Sequence, residues 1–402
     1  MRTYQELFRT REFTPLFFAS SAQTTAQTIS GLALGTLVFG QTGSPLLSSL
    51  AMFGPALAQV IGATTLLSGA DRLPPRAAMT GLTLLFGLGT AVQAVPGLPV
   101  WALFLVLLCL GVLGSLSGGV RYGLLNEILA REGYLLGRSL FNMSVGIIQI
   151  CGFAVGGILV STLSPRATLL LGAVVYLLAA MVSRFGLTRR PPRAVGRPSI
   201  ADTWRDNARL WSAPPRRYVY LALWVPNGLI VGVESLYIPY NPQYAGLLFA
   251  VGALGMLAGD TIAGRFLPPS LRERLVVPLC LLLAAPYLTF AINPAIPIAM
   301  VAVLLATLGY SASLLLQDRL MALTPDDLSG HALGLHTSGM LALQGLGAAL
   351  AGALAEATSP ATGMAAIAAL SLAVTLALIP GLRPHRTGPG RGPLPAAAED
   401  GA

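Results

Sequence analysis

Glu234 is the most informative position in this sequence. It stands in Trp224-Val-Pro226-Asn227-Gly-Leu-Ile-Val231-Gly-Val-Glu234-Ser235-Leu-Tyr237, inside an apolar run long enough to cross a bilayer. A charged side chain near the bilayer centre costs about 2.5–3.5 kcal/mol even on lenient scales, so an acid kept there calls for a reason. Helical spacing puts Asn227, Val231 and Glu234 on one face, with Tyr237 close by. Two readings fit: a protonatable or substrate-binding carboxylate in a polar cavity, or a structural acid hydrogen-bonded near the outer interface. The other acids near apolar runs, Asp71, Glu127, Asp260, Asp318 and Glu356, fall at the ends of those runs.

Uncharged polar groups come next. Gln23, Gln27 and Ser30 recur at i, i+4 and i+7 in the first apolar run, and Tyr310, Ser313 and Gln317 form a weaker stripe further on. Amides and hydroxyls can hydrogen-bond a solute without fixing a charge, or join one helix to another. Other chemistries find little support. Cys109, Cys151 and Cys280 lie singly in apolar runs with no CxxC spacing and read as small buried hydrophobes. His331 and His336 are five apart and lie on different helical faces, which disfavours a metal site. The chain has no lysine, which excludes a Walker-type phosphate loop. Ser115 and Ser117 with His336 lack the glycine that precedes the serine in membrane proteases. The expectation is a protein that is not an enzyme and holds no metal or cofactor.

The elements that must carry these residues are membrane spans. Of 402 residues, 54% are hydrophobic and 10% are charged, against about 25% charged in a soluble domain. A core of about 30 Å takes about 20 helical residues to cross. That ruler finds runs near 14–40, 45–69, 77–95, 99–121, 139–162 and 167–187, then 218–240, 244–267, 275–292, 295–317, 331–356 and 361–381. The expected fold is all-α with twelve spans. Arginine supplies the orientation. Of 25 basic side chains, only Arg166 falls in the connections around 41–44, 96–98, 163–166, 241–243, 293–294 and 357–360. The rest cluster at the opposite ends, as the positive-inside rule produces, so both termini are expected in the cytoplasm. The net charge of +9 therefore reads as topology, not as a nucleic-acid patch. Residues 1–18 lack the short apolar core and cleavage site of a removable signal peptide.

One long polar stretch, 188–216, divides the chain into a six-span half at 1–187 and another at 217–382. Its later part is expected to form a short amphipathic helix around Trp204 and Trp211. The tail, 383–402, is rich in Gly, Pro and Ala and is expected to be disordered.

Six plus six spans about a central cytoplasmic loop resembles the layout of the major facilitator superfamily, and local motifs agree. Gly69-Ala-Asp71-Arg72-Leu-Pro-Pro-Arg76 resembles the signature loop between spans 2 and 3. Thr42-Gly43-Ser44-Pro45 is similar to the start of span 2 in drug-exporter branches. Gly259-Asp260-Thr-Ile-Ala-Gly264-Arg265, about 190 residues after the first motif, resembles its second copy. Arg121-Tyr-Gly-Leu-Leu-Asn126-Glu127 suggests the macrolide- and siderophore-exporter branch of bacterial proton antiporters. The chain departs from the pattern in three places. Leu67 stands where a glycine is usual, Pro74-Pro75-Arg76 replaces Gly-Arg-Arg, and Gln23, Thr24, Thr25, Gln27 and Thr28 stand where that branch often places an acid.

The resemblance implies secondary transport by alternating access, most simply proton-driven export of a small amphipathic or natural-product-like compound. Import or facilitated diffusion is the alternative. It places Glu234, Asn227, Tyr237, Gln23, Gln27, Tyr310 and Gln317 at the cavity. Asp71, Arg72, Arg76, Arg121, Asp260 and Arg265 become a conformational latch, with Asp71 facing the N-terminal end of span 11 near Ser329. It further implies a proton gradient as energy source, a monomer, and a multi-pass location in a plasma membrane of the bacterial inner-membrane type. Gly114 with Gly118, Gly152 with Gly156 and Gly255 with Gly259 are spaced for close helix contact.

Overall fold

The computed structural model describes residues 4–66, 73–129, 131–192, 200–325 and 328–382. Asp71 and Arg72 of the expected latch, and the tail from 383, lie outside the described residues.

Twelve helical segments follow the apolar runs in order. The first half holds α1 (Phe13–Thr42), α2 (Pro45–Leu66), α3 (Pro75–Gln93), α4 (Val100–Ile128), α5 (Arg131–Thr162) and α6 (Pro165–Gly186). The second holds α7 (Pro214–Ser235, continued by Tyr237–Tyr240), α8 (Ala245–Thr261, ending in a π turn, Ile262–Phe266) and α9 (Pro269–Ala284, then a 3₁₀ stretch, Ala285–Ile292). It closes with α10 (Ile296–Leu308 and Ser311–Ala322), α11 (Ser329–Ala357) and α12 (Pro360–Leu382). Ten of these segments are long and apolar enough to cross a membrane. The other two, α1 and α3, match in place and length but are more polar, α1 because of Gln23, Thr24, Thr25, Gln27 and Thr28. α4 and α5 run past the apolar runs at the arginine-rich end, to Ile128 and from Arg131.

The core divides into several clusters, one of which takes in Leu32 of α1 together with residues of the later helices. One first-half cluster gathers Phe13, Leu16, Met79, Phe86, Leu124, Phe141 and Tyr176 from α1 and α3–α6. The cluster with Leu32 gathers Tyr237, Phe249, Tyr287, Phe290, Val303 and Ile367 from α7–α10 and α12. Residues Ile200–Ser212 form the helix expected in the central loop. It docks on the helices that follow it. Leu210 packs with Leu328 and Ala332, Trp211 stacks on Trp224 at 5.7 Å, and His331 Nε2 lies 3.6 Å from Asp206 Oδ2. Cys109 and Cys151 are exposed and only Cys280 is buried, which corrects the expectation that all three are buried. In a span helix an apolar residue can face acyl chains, so sequence alone does not separate core from lipid face.

The halves meet along α2–α11 and α5–α8. Hydrogen bonds join them at the arginine-poor end. Glu356, at the end of α11, accepts from Ser44 Oγ at 2.5 Å and from Leu46 N–H at 3.2 Å. Ser44 also accepts from Leu47 N–H at 3.1 Å, so Thr42-Gly43-Ser44-Pro45 caps α2 while presenting Ser44 to the other half. Deeper in, Ser235 Oγ donates to Ser49 Oγ at 2.9 Å. On the other side Gly157 of α5 packs against Gly246 of α8, and a Cβ on either would overlap the opposing backbone.

Candidate functional site

Three helices of the second half lose regular geometry at one level of the bundle, and each break has a local cause. Pro239 has no N–H and its ring crowds the carbonyl of Ser235, so α7 stops at Ser235 and restarts at Tyr237. Pro286 does the same within α9, and the chain tightens into 3₁₀ geometry from Ala285. In α10 the break falls at Gly309-Tyr310. Gly309 comes so close to the α9 backbone at Leu279 and Leu283 that a side chain would not fit. Backbone of this kind is tolerated at membrane depth only where protein or a water-filled cavity receives it.

The breaks converge on Glu234, on the last turn of α7. Tyr310 Oη donates to Glu234 Oε1 at 3.1 Å. The hydroxyls of Tyr237 and Tyr287 are 2.5 Å apart, and both side chains are fully buried. All three tyrosines lie within electrostatic reach of the carboxylate, which is itself half-buried. An acid held by one phenol and flanked by two more has donors placed for its ionised form and room to take up a proton. An aromatic run leads away from this cluster. Tyr237 meets Phe249 edge-on at 4.8 Å, and Phe249 stacks at 4.8 Å on Phe153 of α5, in the other half. Ser235, the neighbour of Glu234, is itself bonded to Ser49.

The other expected cavity residues are spread around this cluster. Asn227 shares the Glu234 face but is 7% exposed, and its Oδ1 accepts from Gln344 Nε2 of α11 at 3.0 Å. Gln317 is half-buried on α10, about two turns beyond Tyr310. On α1, Gln23 is half-buried and Gln27 exposed, and neither makes a hydrogen bond among the described residues. α1 packs chiefly against α2, α5 and α6 of the same half. Ser30 does not continue that stripe, since it packs into α6 at Gly172. Tyr287 and Gln344 escaped the sequence reading. Pro286 was the available signal for Tyr287, because a proline inside a span marks irregular backbone.

The expected latch residues occupy the arginine-rich end. Asp260 is exposed in a crevice of about 360 Å³ between α5 and α8, with Met143, Gln149, Met256 and Leu257. Arg265 is exposed on the π turn that follows. The Arg121 guanidinium sits 4.9 Å above the Tyr122 ring, with Arg138 at 5.6 Å. Arg76 is half-buried at the start of α3. His336 is buried on α11, and its Nδ1 has no hydrogen-bond partner among the described residues.

The sequence matches the family model of the Major Facilitator Superfamily over residues 16–317. The chain belongs to that superfamily. Solved structures of transporters share its fold. A POT family transporter in complex with a thioalcohol-conjugated peptide superposes with a TM-score of 0.74 at 11% identity, covering 92% of this chain and 96% of the other. A POT family transporter in complex with 5-aminolevulinic acid gives 0.74 at 12%, with the same coverage. The nucleoside transporter NupG gives 0.72 at 15%, covering 92% and 98%. No curated protein matches the chain in sequence. This superfamily member is therefore an integral membrane protein with a transporter fold.

Proposed function

We propose that the chain is a proton-coupled exporter of a small amphipathic compound, with Glu234 as the coupling carboxylate. One observation carries the reading. Glu234 is bonded to Tyr310 where α7, α9 and α10 all break, and the next residue, Ser235, makes a contact that closes one end between the halves. A change of charge on Glu234 is thus one residue away from a gate. Broken span helices at a polar site are a recurrent device of secondary transporters. With the arginine-rich end assigned to the cytoplasm, the described state is closed outside, by Glu356, Ser49, Ser235 and the Gly157–Gly246 contact. Substrate enters from the cytoplasm past Asp260 and Gln149, meets Gln23, Gln27 and Gln317, and reaches Glu234. The exporter direction draws on the likeness of Arg121–Glu127 and Thr42–Pro45 to that branch.

In the alternate state the latch forms, with Asp71, Arg72, Arg76 and Arg121 of the first half and Asp260 and Arg265 of the second drawing the cytoplasmic ends together. Each proton moved inward across 100 mV supplies about 2.3 kcal/mol, enough for a useful substrate gradient.

The test is Glu234→Gln in proteoliposomes. Uphill transport driven by a pH gradient should vanish, while exchange between equal substrate pools persists. Retained accumulation would refute the coupling role. Loss of folded protein from the membrane would make Glu234 structural. Weaker substrate affinity with pH dependence intact would make it a binding residue alone.

A further inference from the structure

Four arginines cluster at the ends of α3 and α6, and three of them, Arg184, Arg189 and Arg190, have no part in the site or the latch. Arg76, Arg184, Arg189 and Arg190 line one pocket of about 390 Å³, with Pro74 and Ala77. Among the described residues, only Arg190 is paired with acids: its Nη2 lies 3.2 Å from Glu12 Oε1 and its Nη1 lies 3.5 Å from Glu127 Oε2. Glu12 also accepts from Thr188 N–H at 3.3 Å and Thr188 Oγ1 at 2.9 Å, which pins residues 188–190 to the start of α1. Arg76, Arg184 and Arg189 make no hydrogen bond or ion pair among the described residues. Three unpaired guanidiniums around so small a space repel one another and concentrate positive potential there. Their planar forks match the oxygens of a phosphate.

The surroundings say what carries that phosphate. Arg184 continues the face of α6 that holds Leu177 and Met181, which are 37% and 49% exposed. Ala77 continues the face of α3 that holds Leu84 and Leu88, 39% and 58% exposed. Both faces are apolar, and on span helices such faces lie against acyl chains. Two lipid-facing stripes therefore converge on a cationic pocket at the membrane surface. A soluble phosphate would use the arginines alone, whereas a phospholipid uses both.

We propose that this pocket binds the phosphate of an anionic phospholipid, held by Arg76, Arg184 and Arg189, with its acyl chains along α3 and α6. Basic pockets between span helices hold anionic headgroups by the same attraction, about 1 kcal/mol per arginine near the surface. Each arginine removed should therefore weaken retention about fivefold. The full chain is reconstituted in vesicles of equal parts phosphatidylcholine and phosphatidylglycerol, extracted gently, and weighed with its bound lipid by native mass spectrometry. Wild type should retain phosphatidylglycerol in preference to phosphatidylcholine, and Arg184→Gln/Arg189→Gln should lose that preference. The two single variants, each down about fivefold, keep the test valid if the double variant folds poorly. Arg9→Gln/Arg217→Gln removes equal charge from the same end and should keep the preference. Equal loss in that control, or no preference in wild type, overturns the proposal in favour of diffuse surface attraction. Displacement of the lipid by inorganic phosphate that then remains bound overturns the lipid assignment in favour of a free-anion site.

Discussion

Among the described residues the helices α1–α6 run unbroken, while α7, α9 and α10 each lose regular geometry and α8 ends in a π turn. Both sets of helices have similar lengths and include segments apolar enough to cross a bilayer, so lipid does not impose the difference. Even Pro55 leaves α2 continuous. The first half contributes amides and packing surfaces on straight rods, and the second contributes an acid and three tyrosines on bent ones. In a bilayer a helix break is costly unless neighbours satisfy the freed carbonyls and amides. Three breaks at one level mark where the chain accepts that cost, and that is where Glu234 sits.

The comparison can be tested by substitution. The largest effect is expected from Gly309→Ala. The added Cβ would collide with the α9 backbone at Leu283, and overpacking of this kind costs about 1–3 kcal/mol. Thermal unfolding in detergent should shift down by several degrees, and transport should fall with it. An unchanged midpoint would mean that the α9–α10 crossing is looser than described.

Tyr310→Phe keeps the ring and removes the donor to Glu234. A hydrogen bond to a charged group is worth about 1.5–3 kcal/mol, so proton-driven turnover should drop about tenfold or more. Protein yield in the membrane should stay normal. Equal losses of yield and turnover would assign Tyr310 to packing.

Glu356→Gln tests the closed end. It weakens the bonds from Ser44 and Leu46 by about 1 kcal/mol. Spin labels at Gln41 and Thr358 should report about a fivefold gain in the population with the arginine-poor ends apart. A distance distribution identical to wild type would remove Glu356 from the gate.

The smallest effect should have the opposite sign. Gly31 of α1 has open space where a Cβ would go, so Gly31→Ala should be neutral or stabilise by up to about 1 kcal/mol. Destabilisation there would show that the regular half is as tightly constrained as the broken one.

Much of this architecture was legible in the residues. Apolar runs outlined the long helices, because crossing hydrocarbon imposes length and composition locally. Glu234 stood out for the same reason, and Tyr237 and Tyr310 followed from helical spacing. The face each helix shows was not legible. Cys109 and Cys151 read like Cys280 yet are exposed, and Ser30 read like Gln27 yet packs against Gly172. In water, an apolar stripe identifies the buried side. In lipid, both sides are apolar and the signal fades.

The sequence by itself determined the solvent, the family and the acid inside a span, since each depends on one residue type or one local run. Tertiary structure alone decided the partners. Tyr287 meets Tyr237 from 50 positions away, Gln344 meets Asn227 from 117, Ser235 meets Ser49 from 186, and Glu356 meets Ser44 from 312. Local pattern carries no record of such pairs, because they exist only once two helices have chosen a crossing angle and register. The crossing angle and register follow from close-packed small residues such as Gly157 against Gly246, and from prolines that bend a helix by withholding one hydrogen bond.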